Sequence, residues 1–322
     1  MVRVAAGGRL HFGFQNLSLA HERLYGSLGV ALGAPRVVAR AEPAESVRCD
    51  HERARAHVER AVELLGVPGA SVTIEKTLPR HVGLGSGTQL ALTVLAAVAA
   101  AHDREPRVRE RAPKLGRGGR SGVGIAAFER GGFVLDTGHP TERFTADRPP
   151  RGEWSVPNVA ARHEIPADWR FVVALPDSEP GRSGDDEDES MRSVVERADP
   201  GLADEIAAVV IRRVLPAVAA GDHEAFGAAV AEIGRRNGAW YADEQGGVYR
   251  PPVGDVVAEL GRSASISGAG QSSWGPAVYG VTTEAFADEA REAARDALAA
   301  AGVGGDVLVA RPRNRGARIE TQ

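Results

Sequence analysis

The sequence predicts an α+β protein of two domains, 1–165 and 166–322, on three observations. Its 322 residues are long for one hydrophobic core and comfortable for two. Strand-like and helix-like patterns interleave in both halves, which suits mixed layers more than a doubly wound sheet. Residues 145–168, rich in Pro, Arg and Asp, suit a connection between the halves.

Each element has its own signal. Residues 1–48 mix apolar runs with glycine turns, and VALGAPRVVARAEPAESVRC reads as strands separated by a turn at Pro35. Ala54, Val58, Ala61, Val62 and Leu65 share one helical face over 52–65, with Gly66 as the stop. SVTIEK alternates as a strand, and TQLALTVLAAVAAAH, apolar almost all round, reads as a buried helix. GGFVLDTG and FVVALP read as further strands. The run SEPGRSGDDEDES reads mostly as a solvated surface loop. Helices are expected over 202–219, ended or kinked by Pro216, and over 222–236, where Phe226, Val230 and Ile233 share a face. AVYGV, a helix at 284–300 and DVLVARP complete the pattern.

Composition narrows the function. A net charge of -4 gives no global case for nucleic acid or membrane binding, so any anion site must be local. Cys49 stands alone, which excludes an intramolecular disulfide and a cysteine metal cluster. The N-terminal residues lack a signal-peptide apolar run, and Leu90 to Ala101 is too short to span a bilayer. A cytoplasmic protein is expected.

Four segments could carry chemistry. In Gly83-Leu84-Gly85-Ser86-Gly87-Thr88, glycines precede a buried helix, whose first N–H groups would face a phosphate or pyrophosphate. A plain glycine turn with Ser86 as N-cap is the alternative. No Gly-Lys-Ser/Thr follows, so this is not a Walker A loop. Around Arg117 and Arg120, glycines at 116, 118, 119, 122 and 124 let the chain wrap an anion that the arginine forks could grip. Ser267-Gly268-Ala269-Gly270-Gln271-Ser272-Ser273-Trp274 offers amide and hydroxyl donors beside one flat ring. His11, within GRLHFGF, could be an acid, a base or a phosphate donor, or a hydrogen-bonded structural residue.

Together, in this order, these segments resemble the GHMP-kinase superfamily, and within it the beta-ribofuranosylaminobenzene 5′-phosphate synthase family. The strings GRLHFGF, HVGLGSGTQLAL, GRGGRSGVGIAAFERGGFVLDTGH and SGAGQSSWGP carry the likeness from Arg9 to Pro276. The resemblance implies a two-domain fold, with an N-terminal domain like ribosomal protein S5 domain 2 and a ferredoxin-like C-terminal domain. It implies that phosphoribosyl pyrophosphate joins 4-aminobenzoate or 4-hydroxybenzoate with loss of pyrophosphate and carbon dioxide, for methanopterin-type biosynthesis. Magnesium and a homodimer are also implied. Kinases of this fold commonly place a catalytic Asp where this chain has Gly124. A hydroxyl acceptor would then lack its base, whereas a carbon nucleophile needs none at that step.

The expected roles follow. Gly83, Leu84, Gly85, Ser86, Gly87 and Thr88, with Gly268, Gly270, Gln271 and Ser272, bind substrate. Arg117 and Arg120 neutralise the leaving pyrophosphate or grip the 5′-phosphate. Asp136 ends the strand GGFVLD as a magnesium ligand, a general base or simply a polar strand end, and His11 is a further catalytic candidate. No metal-ligand set is legible. An ATP-dependent small-molecule kinase and a non-catalytic nucleotide-binding regulator are the competing readings.

Overall fold

A computed structural model describes residues 1–144, 149–150, 152–178 and 185–321, with side chains in the last stretch from residue 189. A first sheet is built on two long strands, β1 (Val2–Asn16) and β2 (Arg23–Pro43). β3 (Ala70–Lys76), β4 (Phe133–Asp136) and β5 (His139–Pro140) all pair with β2, and β6 (Val159–His163) extends the sheet beyond β4. The second sheet has the order β10-β7-β9-β8, from β7 (Trp169–Pro176), β8 (Gly268–Gln271), β9 (Val278–Thr283) and β10 (Gly305–Ala310). The final strand, β11 (Arg318–Thr321), crosses back and pairs antiparallel with β1.

Helices cover both sheets. α1 (Glu52–Leu65) ends at Gly66 in the left-handed region, as its periodicity and stop signal predict. α2 (Ser86–Ala101) is buried without a break from Gln89 to Ala99, which is why its sequence shows no polar face. α3 (Val108–Arg111) and α4 (Val123–Glu129) complete the first half. The second half adds α5 (Asp185–Arg197), α6 (Pro200–Val209), α7 (Leu215–Ala220), α8 (His223–Gln245), α9 (Val253–Leu260) and α10 (Ala287–Ala300).

Three expectations change or narrow. Pro35 does not split two strands: β2 runs through it. Opposite it, the β1–β2 register jumps between Gly7 and Arg9, so no ladder bond needs the missing N–H of proline. Pro216 does not end its helix, which runs on to Ala220; of the two alternatives the kink is the one that fits, since a π-turn over Val210–Val214 joins α6 to α7 just before the proline. From Asp185 the acidic run is helix α5 instead of a loop, while its residues 179–184 lie outside the described residues.

One aromatic cluster ties the halves together. Phe226 of α8 meets Phe12 of β1 and Phe133 of β4 edge-on, and tilts against Trp169 of β7. A bulge in β1 between His11 and Gly13 brings the backbone of Phe14 to Asn237 of α8. Asn237 accepts from the Phe14 N–H at 2.6 Å and donates to its carbonyl at 2.8 Å. That clasp holds His11 and Phe14 on the wall of the cleft between the halves.

Candidate active site

A cleft of about 870 Å³ opens at this junction. Its floor is the entry to α2. Gly85 is the N-cap, at φ +78, and no side chain caps the helix; Ser86 is already inside it. The sequence alternative with Ser86 as N-cap therefore fails. The first N–H groups of a 16-residue helix are left to the cleft, and the helix dipole adds partial positive charge there. A Cβ on Gly87 would come within 3.0 Å of Arg117 Nη1, so the guanidinium stands directly over the loop. Arg9, which also lines the cleft, braces the loop: its N–H donates to the Leu84 carbonyl at 3.1 Å and its side chain to the Gly83 carbonyl. Gly83, Gly85, Ser86, Gly87 and Thr88 line the cleft, whereas Leu84 turns into the core.

The arginine loop 116–121 forms one wall. The Trp154 indole donates to the Arg117 carbonyl at 2.9 Å, which fixes the turn from which Arg117 and Arg120 enter the cleft. Asp136 lies behind this wall and is fully buried. Its carboxylate accepts from the N–H groups of Ser27, Gly122 and Gly138 at 3.2, 2.8 and 2.9 Å, and from the Ser27 hydroxyl. Burial raises its pKa from the ordinary carboxylate value, opposed first by the Ser27 hydroxyl and then by the backbone donors. With both oxygens engaged and no surface on the cleft, Asp136 anchors the start of α4 and positions Ser121, whose hydroxyl meets that of Ser27 at 2.6 Å.

The C-terminal glycine segment meets the phosphate-loop segment but does not mirror it. Gly268 and Gly270 lie in β8, away from the cleft: a Cβ on Gly268 would overlap the Gly227 carbonyl, and one on Gly270 would stand 2.6 Å from the Tyr279 hydroxyl. Gln271 lines a small adjoining cavity and reaches the Ser273 carbonyl at 3.3 Å. Ser272 is buried; its hydroxyl donates to the Gly83 carbonyl at 2.8 Å and accepts from the His11 N–H at 3.1 Å. Only Ser273, Trp274 and Gly275 of this segment line the cleft.

A chain of rings also lines the cleft. His11 meets Phe14 edge-on at 5.0 Å, Phe14 meets Tyr25 at 5.6 Å, and Tyr25 meets His139 at 6.2 Å. Burial, reinforced by Arg9, pushes the His11 imidazole down to about 3, so the ring is neutral, and its Nδ1 has no partner. Burial lowers His139 as well, with the Gly118 backbone opposing and Arg143 and Arg23 adding to the fall. Its Nε2 is likewise unpartnered. Sequence reasoning missed His139, Arg9, Arg53, Arg80 and Trp154. The first two sit inside strings that had been singled out; Arg53 and Arg80 lie in ordinary helix and loop sequence with no distinguishing pattern.

Seven arginines and one carboxylate, Glu153, are among the described residues lining the cleft, so its charge favours a polyanion. Among the described residues no three His, Cys, Asp or Glu side chains cluster as a metal site. That donor set fits a magnesium ion held chiefly by substrate phosphates and waters, with at most one protein carboxylate.

The chain matches the family models for the GHMP kinases N terminal domain over residues 52–132 and GHMP kinases C terminal over 214–300. It is 32% identical to a beta-ribofuranosylphenol 5′-phosphate synthase of Methanothermobacter thermautotrophicus, over 96% of this chain and 95% of that one. A protein of the same name from Archaeoglobus fulgidus is 31% identical, over 99% of this chain and all of its own. Among solved structures, a homoserine kinase from Cytophaga hutchinsonii shares the fold at a TM-score of 0.66 and 18% identity, over 99% of this chain and 97% of that one. No helix among the described residues is long and apolar enough to cross a membrane.

Proposed function

The chain belongs to the beta-ribofuranosylphenol 5′-phosphate synthases, a family on the GHMP-kinase fold, and from that premise we propose that it joins phosphoribosyl pyrophosphate to 4-hydroxybenzoate. The observation that carries this reading is the uncapped entry to α2, under the Arg117 guanidinium, in one cleft with a chain of rings. A polyanion and an arene are the two substrates such a cleft suits.

In the reaction, the bond from the anomeric carbon to pyrophosphate breaks and the ring carbon bearing the carboxylate attacks. Loss of carbon dioxide returns its bonding pair to the ring and restores aromaticity. The α2 N–H groups, Arg117 and Arg120 stabilise the charge that grows on the departing pyrophosphate, in a site partly shielded from water. Neutral His11 and His139 flank the arene without placing a second positive charge beside the developing oxocarbenium centre. Binding both substrates in one cleft converts a bimolecular encounter into a positioned one. Glu153, with the hydroxyls of Ser86 and Thr88, would hold the donor's magnesium, which adds neutralising charge on the pyrophosphate. A cytoplasmic homodimer belongs to this reading on the strength of the resemblance alone.

The kinase reading is less supported. Gly124 takes the place of the kinase carboxylate, and its Cβ position faces the Thr88 methyl at 3.3 Å, so no carboxylate stands there to take an acceptor's proton. The deciding experiment incubates the protein with phosphoribosyl pyrophosphate, magnesium and either 4-hydroxybenzoate or 4-aminobenzoate, and follows carbon dioxide and product mass. Carbon dioxide is expected only with both substrates present, and more from the hydroxy acid. Decarboxylation without the donor, or robust transfer of labelled phosphate from ATP to an alcohol, would overturn the proposal.

A further inference from the structure

Arg53 of α1 and Arg80 of the segment entering the phosphate loop both line the cleft. Several arginines near them are paired instead. On the same helix, Arg55 pairs with Glu59 at 3.3 Å and Arg60 with Glu63 at 2.6 Å. Nearby, Arg3 pairs with Glu75, and Arg109 with Glu129 at 2.7 Å. Those four arginines are matched by carboxylates, whereas Arg53 and Arg80, which line the cleft, have no ion pair or hydrogen bond among the described residues. They face each other's charge: burial and then Arg80 lower the Arg53 pKa. A like-charged pair without a counter-ion weakens the free protein slightly, and a bound dianion removes that cost.

The position selects the ligand. Arg80 is three residues before Gly83, so its Cα lies within about 10 Å of the loop proposed for pyrophosphate. The proposed donor has a second anionic group, a phosphate monoester across one ribose ring from the first. The benzoate carboxylate is the other anion in the cleft, but an arginine fork would hold it against the loss of carbon dioxide that the reaction requires. The ring-to-ring chain that suits the arene runs through His11, Phe14, Tyr25 and His139, on β1, β2 and β5, and includes nothing from α1.

We infer that Arg53 and Arg80 form a second anion subsite, separate from the α2 entry, which takes the 5′-phosphate of the donor. This rests on the synthase reading and adds to it: the donor is held at both ends, with the anomeric carbon suspended between them.

The test measures calorimetric affinities of the Arg53→Gln, Arg80→Gln and double variants for ribose 5-phosphate, ribose and magnesium pyrophosphate. Each substitution is expected to weaken ribose 5-phosphate about ten- to a hundredfold, the contribution of one charge-assisted contact. Pyrophosphate affinity is expected to stay within about twofold, and the melting temperature to hold or rise as the repulsion is relieved. Wild-type protein that binds ribose 5-phosphate no better than ribose overturns the subsite. So does a double variant that retains ribose 5-phosphate, or one that loses pyrophosphate equally, since both arginines would then belong to the α2 entry. These results leave the synthase reading standing; failure of the wild type to bind phosphoribosyl pyrophosphate itself sinks both. Arg80 is exposed, so its single variant gives the same reading should the double variant fold poorly.

Discussion

Loop 83–88 and segment 268–275 are alike as sequences, each a short run of glycines among serines. They differ in what the missing Cβ atoms would meet. At Gly85 and Gly87 the space is bounded by the side chains of Arg9 and Arg117, and at Gly268 and Gly270 by the Gly227 backbone and the buried Tyr279 ring. The first pair keeps a surface open to a ligand. The second lets β8 lie tight against α8 and β9, so that Ser272 can reach the Gly83 carbonyl and His11. Glycine spacing alone therefore does not separate binding from packing; the neighbour across the gap does.

The contrast can be broken most forcefully at Gly268. Gly268→Val must push β8 from α8, and overpacking of this kind, extended to backbone, is expected to cost about 3 kcal/mol or more of unfolding free energy. Urea denaturation reads the loss. A variant with wild-type stability and abolished donor affinity would instead move the segment into the binding site.

Gly85→Val should do the reverse. A branched residue at φ +78 carries about 1–3 kcal/mol of strain, which a two-domain fold tolerates, but its side chain stands where the anion must come. Affinity for phosphoribosyl pyrophosphate is expected to fall at least about a hundredfold, or roughly 2.7 kcal/mol, in a folded protein. Unchanged calorimetric affinity would refute the anion site at the α2 entry.

Arg117→Lys and Arg120→Lys keep the charge and lose the fork. Losing one charge-assisted hydrogen bond, roughly 1.5–3 kcal/mol, should lower kcat/KM for the donor about ten- to a hundredfold. Near wild-type kinetics in both variants would make these side chains bystanders on the wall.

The smallest effect reads how well the second segment encloses His11. The folded His11 has a pKa of about 3 against an ordinary 6.5, so between those values the unfolded state binds more protons. The corresponding stability is complete above pH 6.5 and is lost as pH falls towards 3, at up to about 1.4 kcal/mol per unit. Relative to His11→Gln, the wild type should therefore lose about 2 kcal/mol more between pH 6.5 and 5. Parallel pH profiles for the two proteins would mean that water reaches the ring.

Much of this molecule is legible without coordinates because its signals are local. The apolar face of α1 and its Gly66 stop, the unbroken burial of α2, the alternating β3 and the glycines before α2 each depend on residues within a turn or two of one another. The family strings depend on residue order and nothing else, so they point to the synthases without any geometry. What tertiary structure decided is how distant segments meet. Pro35 is harmless only because β1 shifts register opposite it, and Pro216 only because a π-turn precedes it. In sequence Asp136 can be read as a magnesium ligand, a general base or a polar strand end; in space it is consumed by three backbone donors and a serine. Arg53 and Arg80, 27 residues apart, become a pair only where α1 and the loop after β3 converge on one cleft. Local propensity and residue order are written along the chain, whereas the partner of a charge, or the atom facing a glycine, is set by contacts between segments far apart in it.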